Sequence, residues 1–394
     1  MTLAHTIMAH RRALHAIPEL GFNLHRTKAY LERELRRIGY APMTLGQTGL
    51  VAVREGRGKN AVAFRADMDA LPVHEQTDQS YASTFLGQMH ACGHDGHMAM
   101  VLGFAELIAK TPKPDKSILF IFQPAEETSG GAQTLIEEGV FQGYHVEGIF
   151  ALHLDPSLSQ GILGFKAGVM MAAITEFTIT LTGSGGHSAR PEEACDALRA
   201  AAELITHYHN LTKTRGPTDT QARIGIGACN AGEASNIIAD KAVLQGTIRT
   251  FSEATQQTII KQMHAINERL EARHGVQVHR HFHGAYPPVI NDTALSARLM
   301  KHLTAVPVQT IGPLSISDDF AFYQHVVPGV YMMLGTGAPG YDAPLHASRF
   351  DFDETVLLDG VHVYRDIAIL LDIWDNRRVE LPMLAKNDHE KSSV

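Results

Sequence analysis

The sequence predicts an α/β protein: a mostly parallel sheet covered by helices, with a smaller ferredoxin-like α+β domain inserted into it. Three observations predict it. Continuous apolar runs alternate with stretches of helical periodicity up to about residue 170, the pattern of strands buried on both faces. After Gly168, strict apolar–polar alternation replaces those runs, so the strands there show one face to solvent. The buried texture returns after "YPPVIND" (286–292). A chain of 394 residues exceeds what one core usually organises. Residues 1–170 and 286–394 are therefore read as one discontinuous domain, and 171–285 as the insertion.

Residues 3–16 and 25–38 have helical spacing, while "GLVAVREG" (49–56) and "AVAFRADMDA" (61–70) read as strands. A helix runs from Gly93 to Lys110 and stops at "TPKP". "SILFIFQPAEE" (117–127) is a buried strand ended by Pro124, "IEEGVF" closes a helix, and "EGIFALHLDP" (147–156) is a third buried strand. In the insertion a strand (173–183) precedes a helix (193–210), two strands (221–229, 241–250), a long helix (253–273) and a last strand (275–283). That order, βαββαβ, is ferredoxin-like. "GVYMMLG" (329–335) is a further strand, 353–373 a final helix, and "AKNDHEKSSV" (385–394) a polar, frayed tail.

Composition narrows the function. A net charge of −8 with neutral histidines argues against nucleic acid or an anionic membrane as partner, and no apolar run is long enough to span a bilayer. No signal-peptide pattern is read at the N-terminus. Three cysteines are too few for a disulfide framework and point to a reducing cytoplasm. The 23 histidines make a metal worth seeking.

The chemistry gathers at strand ends. "AVAFRADMD" ends in Arg65, Asp67 and Asp69, "LFIFQPAEE" in Glu126 and Glu127, and "GIFALHLDP" in His153 and Asp155. "HACGHDGH" (90–97) opens a helix with Cys92, His94, Asp95 and His97. Ligands of open α/β sheets bind beyond the carboxyl ends of the strands, so these segments should converge. Imidazole, thiolate and carboxylate suit zinc, manganese, cobalt or nickel better than calcium or magnesium. A helix N-terminus would lower the pKa of Cys92. Paired glutamates can divide the work, one ligating and one moving a proton, or can serve a site with two ions.

Blander assignments are set beside these. His5, His10, His15, His74, His207 and His209 are read as structural, Asp67 as a solvated turn or cap, Cys195 and Cys229 as small buried hydrophobes, and Met170 and Met171 as packing. A nucleophilic Cys92 with His94 or His97 is a competing enzyme reading, and a non-catalytic binder is a third.

The ordered motifs "HRALHAIPELGF", "RADMDALP", "MHACGHDGHMAM", "QPAEE", "ALHLDP", "GSGGHSARP", "SDDFAFY", "VPGVYMMLGTG" and "LHASRFDFDE" resemble those of dinuclear metal amidohydrolases of the aminoacylase and carboxypeptidase superfamily. The branch most similar holds hippurate hydrolases, auxin-conjugate hydrolases and bacterial N-acyl-amino-acid amidohydrolases. The resemblance implies a zinc-exopeptidase-like catalytic domain and an inserted lid and dimerisation domain. It further implies two divalent ions (zinc, manganese, cobalt or nickel), held by Cys92, His94, Glu127, His153 and His346. Glu126 corresponds to the general base, Asp69 to a residue orienting a ligand, and His187 to the oxyanion-stabilising histidine, in relatives often from a partner subunit. Asn236 and Arg249 fall where the substrate carboxylate could be held. The implied reaction is hydrolysis of small N-acyl amino acids, hippurate-like or N-acetylated, by a homodimer or higher homo-oligomer, with a dipeptidase or carboxypeptidase as the alternative. Asp318 in "SDDF", where Glu is usual, and Ala347 after His346, where Ser or Asn is common, depart from the pattern.

Overall fold

The computed structural model describes residues 2–128, 130–212 and 221–374. The tail 385–394 lies outside them. An eight-stranded sheet runs in the order Met43–Leu45, Gly49–Arg54, Ser117–Gln123, Asn60–Asp67, His145–Ser159, Gly329–Gly337, Leu163–Phe165, Val308–Thr310. Ser117–Gln123, Asn60–Asp67, His145–Ser159 and Gly329–Gly337 are mutually parallel, as their continuous apolar runs imply. Antiparallel strands flank them on both sides. Every residue of Ser117–Gln123 is buried. Helices Leu3–His15, His94–Ala109 and Val356–Leu370 pack on one another over this sheet.

His94–Ala109 is buried along almost its whole length, with a side chain on every face in the core. Gly93 caps its start at φ +83°, a left-handed conformation that glycine adopts without a Cβ penalty. Buried Arg11 ties the first helix to this cap region. Its Nε donates to Asp95 Oδ2 at 2.8 Å and its Nη2 to Asp351 at 2.8 Å, while His15 Nδ1 sits 2.8 Å from the same Asp95 oxygen. His15 is thus structural, as read from the sequence, and is held protonated up to about 9: burial opposes the charge but Asp95 outweighs it.

The insertion is a four-stranded antiparallel sheet ordered Ala222–Ala231, Lys241–Thr250, Ala173–Thr182, Gln277–Tyr286, with helices Ala197–Leu211 and Glu253–His274 packed against it. This is the ferredoxin-like arrangement. Its core, built around Phe177, Leu181, Leu204, Tyr208, Leu244 and Met263, is distinct from that of the large sheet. The alternation in Ala173–Thr182 does what the sequence implies: odd positions fill this core and Ile174, Glu176 and Thr178 face away from it. The helix expected from 193 begins at Ala197, because Pro191–Glu193 forms a short 3-10 turn and Asp196 caps the helix. Cys229 corrects an expectation. It is exposed on the edge strand Ala222–Ala231, although a β-bulge between Ile226 and Ala228 sets it opposite buried Leu244. Cys195 is half-buried, while Met170 and Met171 are fully buried packing. Among the described residues no helix is long and apolar enough to cross a membrane.

Candidate metal centre

The carboxyl ends of the central strands do converge. Cys92, His94 and His153 bring one donor atom each within 4.8 Å of one another, and so do Cys92, Glu127 and His346. Cys92 belongs to both groups, and its Sγ lies 3.5 Å from His153 Nε2. All five sequence-implied ligands therefore meet, in two sets that share the thiol.

The imidazoles are fixed by their other nitrogen. His94 Nδ1 donates to the Asp69 carbonyl at 2.8 Å, and His153 Nδ1 to the Leu154 carbonyl at 2.8 Å, which leaves each Nε2 as a lone-pair donor. Burial, then the neighbouring His97, pushes His153 down to about 3, so its ring stays neutral. Glu127 Oε1 lies 3.9 Å from His94 Nε2 and 3.3 Å from His346 Nε2. Burial pushes the Glu127 acid up, but His346 and His94 outweigh it and hold the group below the usual range. His94 Nε2 and Glu127 Oε1 are nevertheless buried without a hydrogen bond. Orphaned buried polar atoms are rare and costly, and a cation between them would satisfy both. The donor set fits divalent transition-metal ions.

The Cys92 expectation needs correction. Burial and the Glu127 and Glu126 carboxylates push its thiol well up, overriding the helix N-terminus. Without a cation the thiolate is disfavoured, which counts against the nucleophilic-cysteine reading.

Asp69 acts through the backbone. Its two carboxylate oxygens accept from Glu126 N–H at 2.9 Å and Glu127 N–H at 3.1 Å, while its own carbonyl holds His94. Ala125 at φ +58° and His346 at φ +68° adopt the left-handed conformation without being glycine. Such strain costs of order 1–3 kcal/mol and persists where surrounding structure enforces it, often at functional sites. Here it turns Glu126 and His346 toward the same cavity. Gly131 leaves no room for a side chain, since a Cβ there would sit 1.8 Å from the Pro124 carbonyl.

Sequence reasoning missed the layer beneath. Asp67 is no solvated cap: it is buried, accepts from His97 Nδ1 at 2.6 Å and from Arg65 Nη1 at 2.7 Å. His97 Nε2 in turn accepts from Leu154 N–H at 3.0 Å, so the histidine braces the His153 segment. Arg65 also reaches Asp319 at 3.0 Å and Gln123 at 2.9 Å, and Tyr331 donates to Asp318 at 2.6 Å. The alternating charged positions at the end of Asn60–Asp67 were the available signal. Glu126 faces Asp318 and Asp319; burial and those carboxylates push its acid well above the usual range. Asp318, the shortened residue of "SDDF", is thus fully engaged.

A cavity of ≈ 460 Å³ opens over the cluster, roofed by the insertion. Glu126, Glu127, His153 and His346 line it, with Ile174 and Arg249 across from them. Arg249 Nη1 donates to the Ser315 carbonyl at 3.1 Å and to Ser317 Oγ at 3.3 Å, with no carboxylate in ion-pair range among the described residues. A β-bulge between His283 and Tyr286 lets the Tyr286 hydroxyl donate to the Glu126 carbonyl at 3.2 Å, linking insertion to site. Two sequence-named residues are not brought in. His187 is exposed in the two-residue strand Gly186–His187, paired with Ile237–Ile238, and Asn236 is exposed with its carbonyl accepting from Ser188 N–H. Neither lines the cavity.

Sheet, insertion and donor cluster together define a hydrolase class. Residues 63–369 match the model of Peptidase family M20/M25/M40, and the chain belongs to that family. It is similar to an N-acetyl-L-cysteine deacetylase of Bacillus subtilis (33% identity over 385 residues, 96% of this chain and 91% of the relative). It is equally similar to an N-acetyldiaminopimelate deacetylase of Enterococcus faecalis (33% over 373 residues, 93% and 98%). A dinuclear metal-binding peptidase of Bacillus subtilis superposes with a TM-score of 0.80 at 30% identity, over 94% of this chain and 98% of that one.

Proposed function

We propose that this protein hydrolyses the amide bond of small N-acyl amino acids, giving a carboxylic acid and a free amino acid. The observation that carries this reading is the pair of donor sets sharing Cys92, with Glu126 beside them in one cavity. Cys92, His94, Glu127, His153 and His346 would hold two divalent ions. When bound, such ions supply Lewis acidity that makes water a better nucleophile and polarises a carbonyl. Glu126 takes the proton from the attacking water and delivers it to the departing nitrogen. Asp69 keeps the two glutamates and His94 in register. Arg249 takes the substrate carboxylate with the donors it does not spend on Ser315 and Ser317. The names of the deacetylase relatives support N-acetyl substrates; the peptidase name of the structural neighbour keeps dipeptides as the second reading. Side-by-side kcat/KM on N-acetyl amino acids, benzoyl-glycine and dipeptides tests this. The acylated substrates are expected to lead, and preference for dipeptides would reverse the assignment.

His187 requires a second copy or a domain movement to reach a substrate carbonyl, and we infer a homo-oligomer in which a neighbour supplies it. His187→Ala and Glu126→Ala should each be nearly inactive alone. Unfolded and refolded together, they should recover part of the activity, because mixed dimers hold one complete site. Mixtures no more active than their components would refute the shared site.

A further inference from the structure

Outside the metal ligands and Glu126, three charged side chains among the described residues line the cavity: Asp318, which Tyr331 and Arg65 already engage, and Arg249 and Glu176. Arg249 and Glu176 both stand on the outward face of the inserted sheet. Arg249 is paired across the ladder with Ile174, and Glu176 with Thr247 on one side and His283 on the other. Arg249 and Glu176 are therefore diagonal neighbours, with Cβ atoms roughly 7 Å apart on one face. They sense each other: burial lowers the Arg249 pKa and the Glu176 charge pulls it back up. They do not form an ion pair, and the only ion-pair partner of Glu176 among the described residues is His283, 3.3 Å away. Its carboxylate stands half-exposed, and among the described residues no lysine or arginine pairs with it. The walls between are apolar, including Met171, Ile174 and Ile316.

We propose that Glu176 makes this cavity selective for N-acyl amino acids whose side chain carries an ammonium group, Arg249 holding the α-carboxylate and Glu176 the side-chain cation. The inference rests on the amide-hydrolase reading above. With the carboxylate on Arg249, an apolar stem lies along Ile174, and the methylene chain of a lysine-type side chain spans roughly the diagonal to Glu176. A neutral apolar side chain of the same length would leave that carboxylate with His283 alone beside it.

The test separates binding from turnover. In metal-loaded Glu126→Gln protein, calorimetry compares Nα-acetyl-L-lysine with its near-isostere Nα-acetyl-L-norleucine. The lysine compound is expected to bind about tenfold tighter. Adding Glu176→Gln should bring the ratio close to one, and Glu176→Lys should invert it. Equal affinities in the parent, or a ratio untouched by Glu176→Gln, overturns the proposal. A ratio that responds to Glu176, in a protein whose wild-type form hydrolyses neither compound, keeps this selectivity and discards amide hydrolysis. Hydrolysis of both compounds at equal kcat/KM does the reverse.

Discussion

Glu126→Gln is expected to lower kcat by about 10²–10⁴-fold, the contribution of a well-placed general acid–base group. The amide keeps the shape of the side chain and cannot take the proton. Everything about the residue serves placement. Its N–H is held by Asp69 Oδ1 at 2.9 Å, its carbonyl by Tyr286, and the preceding Ala125 is turned into a left-handed conformation. Its surroundings of Asp318, Asp319 and Glu127 favour the protonated acid and so make the carboxylate a stronger base. Because Glu126 stands outside both donor sets that share Cys92, the variant should retain its ions. Steady-state kinetics with metal content measured on the same sample checks both halves. A Glu126→Gln protein as fast as wild type would remove Glu126 from the chemistry.

Arg65→Met should destabilise the fold by about 3–5 kcal/mol, the cost of removing one partner from a buried ion cluster. Among the described residues, Arg65 is the only arginine or lysine in ion-pair range of Asp67, Asp318 and Asp319, all of them buried. Its loss leaves Asp318 and Asp319 without a counter-charge in the core, and Asp67 with only its histidine neighbours. Burial already pushes Asp319 up to about 7, against the pull of Arg65. Denaturant unfolding of the variant should show a lowered midpoint, and the loss should shrink at acid pH as the stranded carboxylates take up protons. An unchanged midpoint would mean that the cluster holds nothing together.

Much of this was legible in the sequence because its causes are local. Apolar runs in 61–67, 117–123 and 147–154 specify strands buried on both faces, and the chain rule for open α/β sheets then puts Asp69, Glu126, Glu127 and His153 at one edge. The strict alternation of 173–182 announced a sheet with one open face. What stayed hidden depends on partners distant in sequence. Asp67 looks like any acid at a strand end until Arg65 and His97 close around it. The contact of Arg11 with Asp95 spans a helix and three strands, and no spacing encodes it. Cys92 read as an acidified thiol because its helix is visible locally, whereas the carboxylates that reverse the effect arrive from another segment. His346 was found only through a motif, since its strained backbone and its approach to Glu127 follow from the Ala91 carbonyl holding its N–H at 2.8 Å. His187 and Asn236 show the converse: motif position names them, but a single chain leaves them outside the cavity.

The measurement that tests the central claim most directly is metal content against turnover. Protein stripped by a chelator would be titrated with manganese or zinc, and bound ions and N-acetyl amino acid hydrolysis would be followed together. About two ions per chain should bind, with Cys92→Ser weakening both because the thiol belongs to both donor sets. Hydrolysis should vanish on stripping and return as the ions do. Full turnover by the stripped protein, or a wild-type chain that takes up no divalent ion, would contradict the account.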